Sequence, residues 1–170
     1  SLSGTAYSVY PASQYTATLY RGGNYQINVT TAASNLISCW IDYNQNNTFE
    51  ASEWTQITTA STANLASSAI INIPATASLG TTRMRVRSRA LTNFGGGGGT
   101  NTITGTDACT SFQNGETEDY TITIDNPPPL PPVANFTANN LVITQGQSVN
   151  FTDLSSNNPT SWHWTFSGSS

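Results

Sequence analysis

The segment from residue 42 to residue 53 carries oxygen-bearing side chains at the spacing of a calcium-binding loop. On the twelve-position pattern of such loops, the ligand positions fall on Asp42, Asn44, Asn46, Thr48, Glu50 and Glu53. Position 6 normally holds Gly in a left-handed conformation, and Asn47 is the residue type best able to replace it. The sequence therefore predicts a Ca²⁺ site, and a polar hairpin loop held by Asn and Asp turns is the alternative.

Basic residues alternate along one short stretch, and carboxylates gather in another. The basic residues are Arg83, Arg85, Arg87 and Arg89. The carboxylates are Glu116, Glu118 and Asp119. Alternation in a strand places the four guanidinium groups on one face, where they repel one another unless neutralised. We therefore expect cross-strand Arg–carboxylate pairs, and a ligand-binding Arg ladder for acidic sugars is the alternative.

Two cysteines, Cys39 and Cys109, fit either a disulfide or a pair of buried thiols. Neither lies in a CxxC pair, and the single His cannot complete a zinc site. Because the composition is typical of secreted proteins, we expect a Cys39–Cys109 bridge.

Motifs that would indicate catalysis are missing. The sequence has no Gly-x-Ser-x-Gly and no His-Glu-x-x-His pattern, and the only His, His163, lies between Trp162 and Trp164. Glu116 and Glu118 are spaced like a glycosidase pair, but Arg-rich surroundings would keep both ionised. We expect no enzymatic activity.

Short segments of alternating polarity, typical of β-strands, must position these residues. Seven of them occur before the prolines: 15–20, 25–30, 36–41, 54–58, 69–73, 83–89 and 118–124. Their number and spacing predict an antiparallel β-sandwich of the jelly-roll or Ig-like kind. The calcium loop would join the third and fourth strands.

Composition agrees with an all-β protein and limits its partners. Hydrophobic residues make up 36%, enough for a modest core, while charged residues are only 8%. The net charge of −4 leaves no basic field for nucleic acid, and no apolar run reaches the roughly 18 residues of a membrane span.

A proline-rich stretch at residues 126–132 marks a boundary, because such sequences form extended, semi-rigid spacers. We expect one β-sandwich over residues 1–125 and a second, Ig-like one over 133–170. The second has three strand candidates, 135–138, 147–153 and 161–166. These are too few to close a sandwich, so we expect this domain to be truncated.

Several motifs together resemble the GEVED domain over roughly residues 10–125. The clearest are the run from Trp40 to Glu53 and the run Gly115-Glu-Thr-Glu-Asp-Tyr120, in which Thr117 replaces the Val of the family name. The family's usual Asp and Gly are replaced by Asn46 and Asn47 in the first run.

Residues 132–170 resemble the first half of a PKD domain, through Val149-Asn-Phe-Thr-Asp153 and Trp162-His-Trp164 among others. Both resemblances imply non-catalytic β-sandwich modules of large secreted or surface-attached bacterial proteins. We therefore expect an extracellular, calcium-stabilised module for adhesion, spacing or filament assembly, whose partners are other modules or neighbouring copies. A carbohydrate-binding accessory module of a secreted hydrolase, recognising surface glycans through exposed aromatic residues, is the alternative.

Overall fold

A computed structural model describes residues 7–91, 102–111 and 114–165. The chain divides into two compact units, Ser1–Pro127 and Pro128–Ser170. The described residues form strands and loops around one short 3₁₀ turn, which confirms the predicted all-β sandwich class. No helix in the described residues has the length and apolar character needed to cross a membrane.

The described part of the first unit contains eight strands. They are β1 (Tyr7–Tyr10), β2 (Thr18–Tyr20), β3 (Asn24–Thr30), β4 (Asn35–Ile41), β5 (Trp54–Thr58), β6 (Ala66–Asn72), β7 (Gly80–Ala90) and β8 (Gly115–Asp125). Each of the seven predicted segments coincides in whole or part with one of β2 to β8, whereas β1 was not predicted.

The larger sheet has the order β1-β8-β7-β4-β5, with β2 also paired to β8. Strands β1 and β2 run parallel to β8, so this sheet is mixed rather than purely antiparallel as predicted. The reason is that residues 7–20 pass along the edge of β8 in its own direction. A turn at Gly22 (φ +71°) and Gly23 then carries the chain into the second sheet, and a Cβ at Gly23 would lie 2.9 Å from the Tyr20 carbonyl oxygen.

The second sheet, β3 paired antiparallel with β6, packs on one face of the larger sheet. Strand β4 is central and buried on both faces. Its Ile37 and Ile41 point toward the β3–β6 sheet, whereas Leu36 and Trp40 point away and pack against Ile103 and Ala108. The segment 102–111 therefore closes a second small core behind the larger sheet.

The second unit holds a two-stranded antiparallel sheet of β9 (Phe136–Ala138) and β10 (Phe151–Asp153). An isolated bridge joins Val133 to Ser156. No residue between 128 and 165 is buried. Of the third predicted strand, residues 161–165 are not in a strand, and Phe166 lies outside the described residues.

The stability of the first unit should depend on the core between its two sheets. Ile122 is 1% exposed and faces that core, whereas Ile70 on the outer face of β6 is 53% exposed. We expect Ile122→Ala to lower the free energy of unfolding by about 2–5 kcal/mol and Ile70→Ala by less than about 0.5 kcal/mol. Urea unfolding of both variants measures the difference, and equal losses would contradict this packing.

Candidate functional site

The predicted calcium loop connects β4 to β5 and ends in a 3₁₀ turn at Ala51–Glu53. Two of its residues have left-handed backbone conformations, Gln45 at φ +58° and Asn47 at φ +66°. The left-handed conformation predicted for Asn47 is thereby confirmed. It lets the chain fold back so that the first and last predicted ligands, Asp42 and Glu53, approach each other.

Asp42 and Glu53 are the buried residues of this loop, at 3% and 4% exposure. The Asp42 carboxylate accepts hydrogen bonds from the amides of Asn46 (3.1 Å) and Asn47 (3.0 Å). The Glu53 carboxylate accepts hydrogen bonds from the amides of Tyr43 (2.7 Å) and Glu50 (3.1 Å). These bonds fix both carboxylates, one at each end of the loop.

The electrostatics of this pair are unfavourable as they stand. Burial raises the pKa of Glu53, the backbone amides oppose that rise, and the nearby Asp42 adds to it. Within the described part of the chain, no Arg side chain makes a salt bridge with either carboxylate. Buried charges are normally paired or bound to metal. In the described residues these two carboxylates have no ion-pair partner.

The other predicted ligands lie on the exposed side of the same loop. Glu50 accepts hydrogen bonds from the side-chain amides of Asn44 (2.8 Å) and Asn46 (2.7 Å), and the Asn46 side-chain oxygen accepts from the Thr48 amide (2.8 Å). The structure thus brings all six predicted ligands into one loop. The described residues contain no group of three or more His, Cys, Asp or Glu arranged to hold a metal.

The oxygen donors present nevertheless fit a hard cation. Carboxylate and amide oxygens are the ligands that Ca²⁺ prefers, and the two buried carboxylates supply the charge. Asp42 and Glu53 would hold such an ion together with the side-chain oxygens of Asn44 and Asn46 and the Thr48 carbonyl.

The four alternating Arg residues of β7 (the Arg ladder) lie on the face of this strand that packs against segment 102–111. Arg85 forms a bidentate ion pair with Asp119, at 2.6 and 2.7 Å, and Asp119 also accepts a hydrogen bond from the Tyr7 hydroxyl (2.8 Å). Burial acts to raise the pKa of Asp119, but the hydrogen bonds from Arg85 and Tyr7 together hold it below its usual value. The predicted cross-strand pairing is therefore made by Arg85 and Asp119.

The other two predicted carboxylates point the opposite way. Along β8, Glu116 and Glu118 alternate with Asp119 and so lie on the face away from the Arg side chains. Glu118 instead accepts hydrogen bonds from the hydroxyls of Tyr10 (3.2 Å) and Tyr120 (2.8 Å). The prediction that Glu116 and Glu118 pair with the ladder is wrong, for this reason of strand parity.

Backbone carbonyls of segment 102–111 accept hydrogen bonds from three of the guanidinium groups. Arg87 donates to the carbonyls of Asp107 and Thr110 (2.7 Å) and to the Thr117 hydroxyl (2.9 Å). Arg85 donates to the Ala108 carbonyl (3.0 Å), and Arg89 donates to the Thr102 carbonyl (3.0 Å). The ladder therefore clamps this segment onto the sheet, which no sequence motif indicated.

Arg83, the first residue of the ladder, reaches the calcium loop instead. Its guanidinium donates to the Asn47 backbone carbonyl (3.3 Å) and side-chain oxygen (3.2 Å). Phe49 lies beneath both Arg83 and Arg85, whose guanidinium carbons are 6.0 and 4.9 Å from the ring centre. The loop and the ladder are thus in direct contact.

The predicted Cys39–Cys109 disulfide is wrong, because both thiols are free. Cys39 is buried in the core between the two sheets, and burial raises the pKa of its thiol to about 12. Cys109 is exposed on the opposite face, with its Sγ 3.3 Å from an Arg85 nitrogen. The β4–β7–β8 sheet separates the two.

Aromatic residues that could stack on a sugar, such as Tyr10, Tyr15, Tyr25 and Trp54, lie in several different environments. Trp54 packs on the core behind the larger sheet, and Tyr25 packs on the core between the sheets. Tyr10 stacks on Tyr120 at 4.9 Å and contacts Tyr15 edge-on at 5.2 Å. Trp54 and Tyr25 therefore do not share one face on which a sugar could stack on both rings.

Comparison with family models matches residues 36–123 to the GEVED domain. No curated protein and no solved structure matches the chain. The matched span contains the predicted calcium loop at residues 42–53 (the acidic loop), the Arg ladder on β7 and most of β8, and it leaves out β1 to β3.

If the ladder clamps segment 102–111, removing one guanidinium should loosen that segment selectively. We expect Arg87→Met to speed amide exchange at Asp107 and Thr110 by about ten-fold or more, since hydrogen bonds to charged groups contribute about 1.5–3 kcal/mol each. Arg83→Met is the matched control, because Arg83 contacts the calcium loop instead. Hydrogen exchange read by NMR measures both, and equal acceleration would contradict the clamp.

The Arg85–Asp119 pair should give the protein an acid-sensitive stability. The pKa of Asp119 is lower in the folded state than in the unfolded state, where it is about 3.9. The ion pair therefore stabilises the fold at pH values above the unfolded-state pKa, and this stabilisation is lost as the pH falls through the folded-state pKa. We expect urea midpoints to fall between pH 5 and pH 3 by less in Asp119→Asn than in the unaltered chain. The control is Asp125→Asn at the exposed end of β8. An unchanged pH dependence in Asp119→Asn would rule out this contribution.

Proposed function

The chain belongs to the GEVED domain family, and we propose that it is a non-catalytic extracellular module whose first unit is stabilised by Ca²⁺ and which serves adhesion, spacing or surface assembly in a larger bacterial protein. The family is one of small β-domains, in line with an accessory module rather than an enzyme.

The observation that carries the calcium proposal is the pair of buried carboxylates, Asp42 and Glu53. Both are almost fully removed from water, and neither has a cationic partner in the described residues. Burial, with a smaller effect of Asp42, raises the pKa of Glu53, which means that its charged form is disfavoured. A divalent cation bound between them would supply the missing charge. In this proposal Asn44, Asn46, Thr48 and Glu50 contribute the remaining oxygens.

Several features support a role in spacing rather than in chemistry. The charged side chains of the ladder are engaged in holding segment 102–111 and Asp119, which leaves them unsuited to acid–base work. His163 is exposed in the second unit. The prolines of residues 126–132 are exposed and outside any named strand, as in a semi-rigid spacer.

We propose that residues 133–170 are the first part of a PKD domain. The two-stranded sheet of β9 and β10 and the clustered rings of Phe136, Phe151 and Trp164 support this, because paired strands that carry aromatic rings on one face are typical of β-sandwiches. The full domain would bury these rings between two sheets. In the assembled protein the partners would be further modules or neighbouring copies at the cell surface.

Thermal unfolding with and without calcium tests the proposal. Ligand that binds only the folded state stabilises it by about 2.7 kcal/mol at a hundred-fold excess over Kd. For a domain of this size we expect Ca²⁺ to raise the Tm by roughly 5–10 °C over the same sample in chelator. Mg²⁺ at the same concentration should have a smaller effect, because it takes fewer protein ligands.

Glu53→Gln is the sharpest variant, since its effect should differ between the two conditions. A carboxyl with a raised folded pKa destabilises the fold as the pH rises through that pKa. Gln removes this charge but keeps only one of the two oxygens that accept from the Tyr43 and Glu50 amides, so in chelator at neutral pH the variant should lose less stability than it loses in calcium. The Tm of this variant should rise little or not at all when calcium replaces the chelator. Glu116→Gln, outside the loop, should keep the full calcium response. A Tm that is the same in calcium and chelator would overturn the proposal.

A further inference from the structure

Strand β1 is attached to the fold through one edge of β8 and little else. It is four residues long, pairs in parallel with Thr117–Tyr120, and leaves Tyr7 and Val9 at 49% and 63% exposure. Residues 11–17, which connect it to β2, are all exposed. Such a short strand on a long exposed connection has little apolar burial to retain it.

Two tyrosine hydroxyls replace the missing apolar burial, and each uses a different face of β8. Tyr7 donates to Asp119 (2.8 Å), and its ring lies 5.8 Å from the Arg85 guanidinium. Tyr10 donates to Glu118 (3.2 Å) and stacks on Tyr120 with the rings 10° from parallel. The two adjacent carboxylates therefore hold the strand from both sides.

The receiving groups on β8 are held in place without β1. Arg85 fixes Asp119, and the Tyr120 hydroxyl fixes Glu118 at 2.8 Å. The family match also includes this part of β8 but not β1, which lies outside residues 36–123. The two carboxylates at the edge of β8 are thus oriented by contacts that do not involve β1.

We propose that the outer edge of β8 at residues 117–120 is a strand-acceptor site for a Tyr-x-x-Tyr segment, and that the β1 segment of a second copy occupies it by exchange, linking neighbouring copies. Recognition combines parallel main-chain pairing with two phenol–carboxylate hydrogen bonds. The exposed connection at 11–17 lets the segment leave its own edge, while β2 holds the lower part of that edge at residues 123–125.

The inference rests on the proposed assembly role and gives it a mechanism. It does not involve the acidic loop, so its test is made in saturating calcium. A failure here would leave the calcium result standing, and a failure of the calcium response would leave this test interpretable.

Fluorescence anisotropy with a labelled peptide of residues 7–13 tests the site in the full-length chain. The chain's own β1 competes at an effective concentration in the millimolar range, so the unaltered chain should bind the peptide weakly. In the double variant Tyr7→Phe, Tyr10→Phe the tethered strand keeps its rings but loses both hydroxyls. We expect this chain to bind the unaltered peptide at least about ten-fold more tightly, the effect of one hydrogen bond to a charged group.

Matched controls separate the site from unspecific strand pairing. A peptide carrying both Tyr→Phe changes should lose that advantage. Adding Glu118→Gln to the double variant should weaken binding of the unaltered peptide, whereas adding Glu116→Gln, on the same face but without a tyrosine partner, should not. Equal binding of both peptides, or no binding to the double variant, would overturn the acceptor site.

Exchange between copies is measured by mixing tagged and untagged full-length chains. We expect retention of the untagged chain with the tagged one to rise with concentration, and unlabelled peptide in the millimolar range to lower retention. Retention that the peptide leaves unchanged, or no retention at any concentration, would overturn the exchange.

Discussion

The ion pair between Arg85 and Asp119 is the interaction that positions the irregular segments of the first unit. It joins the two longest strands near the middle of their paired stretch, and three neighbouring segments contact it. Tyr7 of β1 donates to Asp119, Ala108 of segment 102–111 accepts from Arg85, and Phe49 of the acidic loop lies under the guanidinium. Because the pair is partly shielded from water, its attraction is screened less than that of a surface pair. One cross-strand contact thus fixes the position of three segments that have little regular structure of their own.

This dependence extends to the acidic loop. Arg83, two residues before Arg85, contacts Asn47, the residue whose left-handed conformation folds the loop back on itself. Thr82, between the loop and the core, donates its hydroxyl hydrogen to the Asp42 carbonyl at 2.6 Å. The β7 strand therefore sets where Asp42 stands, and the loop is not an independent appendage. A cation bound in the loop would therefore also stabilise β7 and its pairing with β8, through the contacts of Thr82 and Arg83 with the loop.

Much of this arrangement follows from the sequence, and the failures have specific causes. Alternation predicted β2 to β8 and placed the four Arg side chains on one face, and the calcium-loop pattern identified Asn47 as the left-handed residue. The same parity, applied to β8, would have separated Glu116 and Glu118 from Asp119, so that error was avoidable. The clamp on segment 102–111 was not predictable, because backbone carbonyls carry no signature in sequence. Strand β1 was missed since its structure comes from pairing with β8, and the Cys39–Cys109 bridge failed because sequence spacing says nothing about which side of a sheet a residue occupies.

The two charged regions of the first unit solve the cost of burying charge in different ways. Four guanidinium groups lie on one face of β7, and within the described part of the chain they donate to backbone carbonyls, to neutral side-chain oxygens and to the Asp119 carboxylate. In the acidic loop, backbone amides satisfy the hydrogen-bonding capacity of Asp42 and Glu53 but bring no full positive charge. Hydrogen bonds from amides reduce the cost of a buried carboxylate without cancelling the repulsion between two of them. The cationic face is therefore complete as folded, and the anionic loop is the place where an added cation would contribute most to the stability of the fold.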